Sequence, residues 1–157
     1  MSSLKPDTRE KLMGISTATL ATCLFKRGLR NQFIQGVQRL SKATKNMVGE
    51  AYTLRYIPAR EDLNTMEVFK DRSHPQRKGI NECPAGAVFV IDSRKDARAA
   101  SAGGILVGRL MARGVAGVVT DGAFRDGQEI ATMNFPAYGQ AVVAREQLDR
   151  TCCNRAA

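Results

Sequence analysis

Arg125 and Asp126 stand side by side just after a short apolar run, and their side chains offer complementary chemistry. A guanidinium is a planar fork matched to a carboxylate. The adjoining carboxylate is an oxygen donor suited to Mg²⁺, which keeps several waters and needs few protein ligands. Upstream, Gly103 and Gly104 carry no side chain to block a ligand and open a helix at its amide-bearing end. An anion clamp, a metal-capable carboxylate and an open helix start within 101–129 point to a small anionic ligand. The same residues also fit quieter roles. Asp126-Gly-Gln-Glu129 matches the D-x-x-E form of a capping box, in which Asp126 satisfies free amides and Glu129 reaches back. Arg125 alone reads as a surface ion-pair residue, and two glycines alone read as close helix packing.

The elements that must hold these residues follow from periodicity. Ala102, Leu106, Leu110 and Met111 recur on one helical face, with Arg109 and Arg113 elsewhere on the wheel. Gly114 closes that helix, because glycine takes the left-handed conformation of a last turn. Val115–Thr120 is apolar and rich in valine, the signature of a strand covered on both faces, and Asp121-Gly122 ends it in a turn. Ligands in layered α/β domains sit off the carboxyl ends of strands, so Asp121, Gly122, Arg125 and Asp126 lie where a site is expected. The spacing further predicts helices over 7–13 and 16–27, the latter capped by Ser16 and ended before Gly28. A strand is expected over 47–56, a short amphipathic helix with Leu63, Met66, Val68 and Phe69 over 61–70, and a buried strand over 87–91 that exits at Asp92-Ser93. Asp92 is a second acidic strand-end residue near the expected site, read first as a turn cap because aspartate is a common turn residue. Strand, helix, strand, helix, strand in that order indicates a layered α/β domain.

The chain has 157 residues, enough for one domain with a real core, and no linker-like segment divides it. Its first residues lack the apolar core of a signal peptide, and no run reaches membrane-span length, so a soluble cytoplasmic protein is expected. Cys23, Cys83, Cys152 and Cys153 form no C-x-x-C pair, and with a single histidine, His74, they argue against a Cys/His zinc site. Cys23 is expected to pack as a small apolar residue, and His74, before Pro75 in a charged loop, to be solvated. The net charge of +9 raises nucleic acid as a partner. However, the cations fall into scattered groups, Lys26/Arg27/Arg30, Arg39/Lys42/Lys45, Arg72/Arg77/Lys78 and Arg94/Lys95/Arg98, with no RNA-reading aromatic motif among them. A solvated basic surface is the reading. P-loop, GxGxxG, HExxH and GxSxG patterns are all absent.

Four pieces of the chain occur in a specific order: Gly103-Gly104-Ile105-Leu106, Arg113-Gly114-Val115-Ala116-Gly117-Val118-Val119, Asp121-Gly122 and Arg125-Asp126. In order and spacing they resemble the RraA-like family, which includes 4-hydroxy-4-methyl-2-oxoglutarate (HMG) aldolases and regulators of ribonuclease activity. Ser16-Thr17-Ala18-Thr19, Gly49-Glu50-Ala51 and Pro84-Ala85-Gly86-Ala87-Val88 extend the likeness, so that it covers 4–138. The resemblance implies a swivelling β/β/α layered domain over 4–138. The tail, 139–157, does not resemble the family and is read as the product of a shifted frame or a truncated gene, or else as a divergent terminal helix.

The resemblance also implies a divalent-metal-dependent lyase of the HMG aldolase or oxaloacetate decarboxylase type, cleaving a small 2-oxo dicarboxylate to pyruvate. By position, Arg125 would hold the substrate carboxylate and Asp126 a metal, Mg²⁺ with Mn²⁺ as the alternative, partly through water. Backbone amides of Gly103, Gly104, Ile105 and Leu106 would meet substrate oxygens, and Asp121 would shape the loop. Gly104 stands where aldolase-competent relatives usually carry an acidic residue. The implied assembly is a homotrimer or larger ring with sites between subunits. The alternative from the same family is a non-catalytic regulator that binds a ribonuclease, and a third reading is a truncated inactive paralogue.

Overall fold

The computed structural model describes residues 4–58, 65, 67, 70–144 and 150–153. Two helices come first, α1 (Pro6–Met13) and α2 (Thr17–Lys26). Pro6 supplies the fixed φ of a first helical residue, and Ser16 caps α2 by accepting from the Thr19 amide at 3.1 Å. Neither helix buries a residue fully. Arg9 instead pins α1 to the body, donating to the Val48 carbonyl at 2.7 Å and to the Gly86 carbonyl. Cys23 is therefore exposed rather than packed in the core, because α2 lies outside it.

The larger sheet runs β1 (Gln38–Arg39), β7 (Ala137–Gly139), β5 (Gly117–Thr120), β3 (Val88–Asp92), β2 (Ala51–Pro58) and β9 (Arg150–Cys153). Its four central strands are parallel, and β1 and β9 join antiparallel at the two edges. Phe89 and Val118 in the middle are wholly buried, as expected of strands covered on both faces. A second, all-parallel sheet holds β4 (Ala100–Ala102), β6 (Ala123–Phe124) and β8 (Ala141–Val142). Each of its strands follows directly on a strand of the larger sheet, β3, β5 and β7 respectively. The helices α3 (Pro75–Glu82), α4 (Gly104–Ala112) and α5 (Gly127–Thr132) fill the crossovers. One core, with Tyr56, Phe89, Leu110, Phe124 and Ile130 at its centre, joins both sheets to these helices. The layered α/β fold is the expected one.

Several local expectations shift. The strand expected over 47–56 is Ala51–Pro58, and that over 115–120 begins at Gly117. Ala102 belongs to β4, so α4 starts two residues later than its apolar pattern suggested, and the buried stripe becomes Gly104, Val107 and Leu110. Met111 is rotated outward and stands 41% exposed. Gly114 does end the helix, at φ 74°. Residues 75–82, read as a charged loop, form α3. Pro75 sits at its first position, and Gln76, Gly79 and Ile80 turn inward at helical spacing. The helix expected over 61–70 falls largely outside the described residues. At the other end, 150–153 form a strand rather than a helix, completing the free edge of β2.

Where the chain passes between sheets, three hydroxyls are buried together. Thr120 Oγ1 lies 2.9 Å from Ser101 Oγ and 3.1 Å from Ser93 Oγ, which are 2.6 Å from each other, and it accepts from the Gly122 amide at 3.0 Å. Valine in place of Thr120 keeps the shape but leaves the Gly122 N–H and a hydroxyl without that partner. The expected loss is about 1–3 kcal/mol, read in a thermal melt as a fall of about 2–4 °C per kcal/mol. Thr120→Ser should largely retain the wild-type Tm.

Candidate functional site

β4 and β6 pair in parallel with Ala102 opposite Phe124. The next residues on each strand, Gly103-Gly104 and Arg125-Asp126, therefore emerge side by side, tied by the Arg125 amide donating to the Ala102 carbonyl at 2.9 Å. The pair leaves the second sheet rather than the 115–120 strand, because the two-residue β6 intervenes. Neither β4 nor β6 is long enough to carry a readable alternation, which is why the sequence pattern did not resolve them.

Asp126 adopts a left-handed backbone, φ 59° and ψ 40°, and does not cap its own helix. Its Oδ2 accepts from the Gly104 amide at 3.0 Å instead, satisfying a first-turn N–H of the neighbouring α4. Arg125 Nε lies 3.6 Å from that same oxygen, and the two side chains are 33% and 37% exposed. The capping-box reading is thus overturned: Asp126 serves a different helix, and Glu129 makes no return bond to it.

Glu129 turns its carboxylate to Gly104. A Cβ on Gly104 would lie 2.6 Å from Glu129 Cδ, and one on Gly103 would lie 2.7 Å from Asp126 Oδ2. The two glycines therefore make room for two carboxylates rather than leaving open backbone. Among the described residues the Glu129 carboxylate has no hydrogen-bond or ion-pair partner. The sequence did hold a signal for it, since position 129 lies within one helical turn of Asp126, but that spacing was read as a cap.

The four amides expected to face a ligand are not equivalent. The Gly104 N–H is held by Asp126 and that of Leu106 by the Gly103 carbonyl at 3.1 Å. The Ile105 amide has no partner among the described residues, and its side chain is 80% exposed. Asp121 Oδ1 accepts from the Ser93 amide at 2.5 Å and Oδ2 from that of Lys95 at 2.9 Å. Both carboxylate oxygens thus brace the 93–98 loop, in which Arg94 and Lys95 are left-handed. Asp92 accepts from the Arg94 amide and pairs with Arg55 Nε at 2.6 Å, a turn role.

Among the described residues no three His, Cys, Asp or Glu side chains gather as a metal cage. Mg²⁺ needs less, commonly one or two carboxylates with water completing its shell. Among the described residues Asp126 Oδ1 has no partner, so this carboxylate fits a largely hydrated Mg²⁺. Cys83 is no rival nucleophile: burial pushes its thiol up to about 11. An apolar groove lined by Leu12, Leu20, Phe33, Ile34, Val37 and Tyr138 is separate from the Arg125–Asp126 corner.

The RraA-like family model, described as Aldolase/RraA, matches residues 17–153. The chain belongs to the RraA-like family. The RraA-like chain is 26% identical over 137 residues to protein DlpA of Legionella pneumophila, a match covering 87% of this chain and 21% of that protein. It is 36% identical over 81 residues to a provisionally named 4-hydroxy-4-methyl-2-oxoglutarate aldolase of Halalkalibacterium halodurans, covering 52% of this chain and 37% of the relative. The matches to both curated relatives thus span well under half of those proteins. Streptomyces coelicolor RraAS2, described as an unusual member of the RNase ES inhibitor RraA family, shares the fold, with a TM-score of 0.81 at 24% identity over 98% of this chain and 72% of that one. No helix among the described residues is long and apolar enough to cross a membrane.

Proposed function

We propose that this RraA-like chain is a divalent-metal-dependent lyase that releases pyruvate from a small 2-oxo dicarboxylate, by aldol cleavage of HMG, by decarboxylation of oxaloacetate, or both. The observation that carries the reading is the convergence of Arg125, Asp126 and the start of α4 on one partly exposed corner. Arg125 clamps a substrate carboxylate through its planar fork. The Ile105 amide donates to a substrate oxygen on which charge develops, and the positive end of α4 supports it. Asp126 would hold Mg²⁺ or Mn²⁺ through its carboxylate, with water completing the shell. When bound, the metal supplies Lewis-acid polarisation of the 2-oxo group. The support from relatives is the aldolase name of the Halalkalibacterium protein.

Phe25, Leu29, Phe33 and Ile34 are exposed large apolar side chains near the end of α2, and their burial favours association of copies into the ring implied by the family. A non-catalytic ribonuclease-binding role is the competing reading, suggested by the RraAS2 description. The deciding experiment measures pyruvate from oxaloacetate and from HMG with and without Mg²⁺, against protein-free controls, in the wild type and in Asp126→Ala. Mg²⁺-dependent turnover that falls by about 10²-fold in the variant is expected, the size of losing an electrostatic contact to developing charge. Rates equal to the metal-only background, unchanged by the substitution, would reject the lyase and favour the binding role.

A further inference from the structure

We propose that Glu129 is the proton-carrying catalytic carboxylate of this site, an assignment that rests on the lyase reading above. Two carboxylates stand over consecutive glycines, and their situations differ. Asp126 is engaged by the Gly104 amide and lies near Arg125, whereas Glu129 projects from α5 over Gly104 and spends its oxygens on nothing else among the described residues. An exposed glutamate with no partner among the described residues, one glycine along from the Arg125–Asp126 pair, is placed to act as a general base. Among the described residues the charged groups around it are few. Arg125 and Asp126 stand at the adjoining Gly103, while Arg109 on α4 turns to Asn81 at 3.4 Å and Arg113 at its C-cap to the Cys83 carbonyl at 3.4 Å. No cation on α4 therefore competes for the carboxylate.

The step balances without a co-reactant. Glu129 takes the proton of the C4 hydroxyl of a pyruvate aldol as the C3–C4 bond breaks. C4 becomes the carbonyl of the departing fragment, and the released electron pair forms the C2–C3 double bond with charge on the 2-oxo oxygen. The protonated glutamate then returns its proton to C3, giving pyruvate and restoring the carboxylate. Decarboxylation of oxaloacetate has no hydroxyl proton to remove, so Glu129 stays ionised through it and the enolate left by carbon dioxide takes its C3 proton from water.

The test compares Glu129→Gln with wild type on HMG and on oxaloacetate, with Mg²⁺ binding followed by calorimetry. Aldol cleavage should fall by about 10²–10⁴-fold, the size of a lost general base. Carbon dioxide release from oxaloacetate and Mg²⁺ affinity should stay at wild-type values. Aldol cleavage at the wild-type rate, or an equal fall in both reactions, would overturn the assignment while wild-type turnover leaves the lyase reading standing. A wild-type protein with neither reaction would remove that reading and Glu129's role with it.

Discussion

Replacing Arg125 with methionine is expected to lower kcat/KM for a 2-oxo dicarboxylate by about 10²–10³-fold, because a charge-assisted clamp of this kind contributes roughly 3–4 kcal/mol. Lysine at the same position should restore only a small part, since an ammonium cannot reproduce the two-pronged geometry. The contact with Asp126 by itself should cost the fold little. Arg125 is one-third exposed, and its 3.6 Å contact with Asp126 is the kind of partly solvated pair that contributes little to stability. Steady-state kinetics beside a thermal melt would separate these effects. If Arg125 serves only to steady Asp126, the loss would appear in Mg²⁺ affinity and Tm, with KM for substrate unmoved.

The second large effect concerns the residue just before it. Phe124 is fully buried between the two sheets, and its ring packs so closely on Gly139 that a Cβ there would lie 2.8 Å from Cδ2. Phe124→Ala should cost about 3–5 kcal/mol through lost transfer free energy and the cavity left behind. At 2–4 °C per kcal/mol, Tm should fall by roughly 6–20 °C. Such a loss is a large share of the stability of an ordinary domain. It also loosens β6, which delivers Arg125, so activity should drop at temperatures where the variant is still folded. A leucine at this position, keeping most of the volume, should recover the greater part of both. A Tm unchanged by the alanine would mean that the two sheets are not held through this ring.

The long buried strands and well-capped helices were legible because each carries a local signature. Ser16 announces α2, Gly114 ends α4, and the valine run marks β5. What escaped were elements too short to show a period: β4, β6 and β8, which together form the second sheet. The consequence for the site was specific. Arg125 and Asp126 were legible as a pair and Gly103-Gly104 as an open helix start upstream, but which strand presents them depends on pairing between Ala102 and Phe124, a non-local contact. Glu129 was misread for a related reason. A D-x-x-E tetrapeptide favours a cap when only local energies count, and the left-handed turn at Asp126 redirects that carboxylate to another helix. α3 lost its signal to Arg77 and Lys78, whose charge masked the inward spacing of Gln76, Gly79 and Ile80.

The positive φ of Asp126 places opposing selective pressures on a single position. Folding alone would accept glycine there, since glycine relaxes the backbone where a side chain is disfavoured. An aspartate at that position is a cost to the native state that α4 only partly offsets through the Gly104 amide. Random drift under selection for solubility alone should therefore erode this carboxylate early, and a laboratory lineage evolved that way is a direct assay of whether anything beyond folding keeps it.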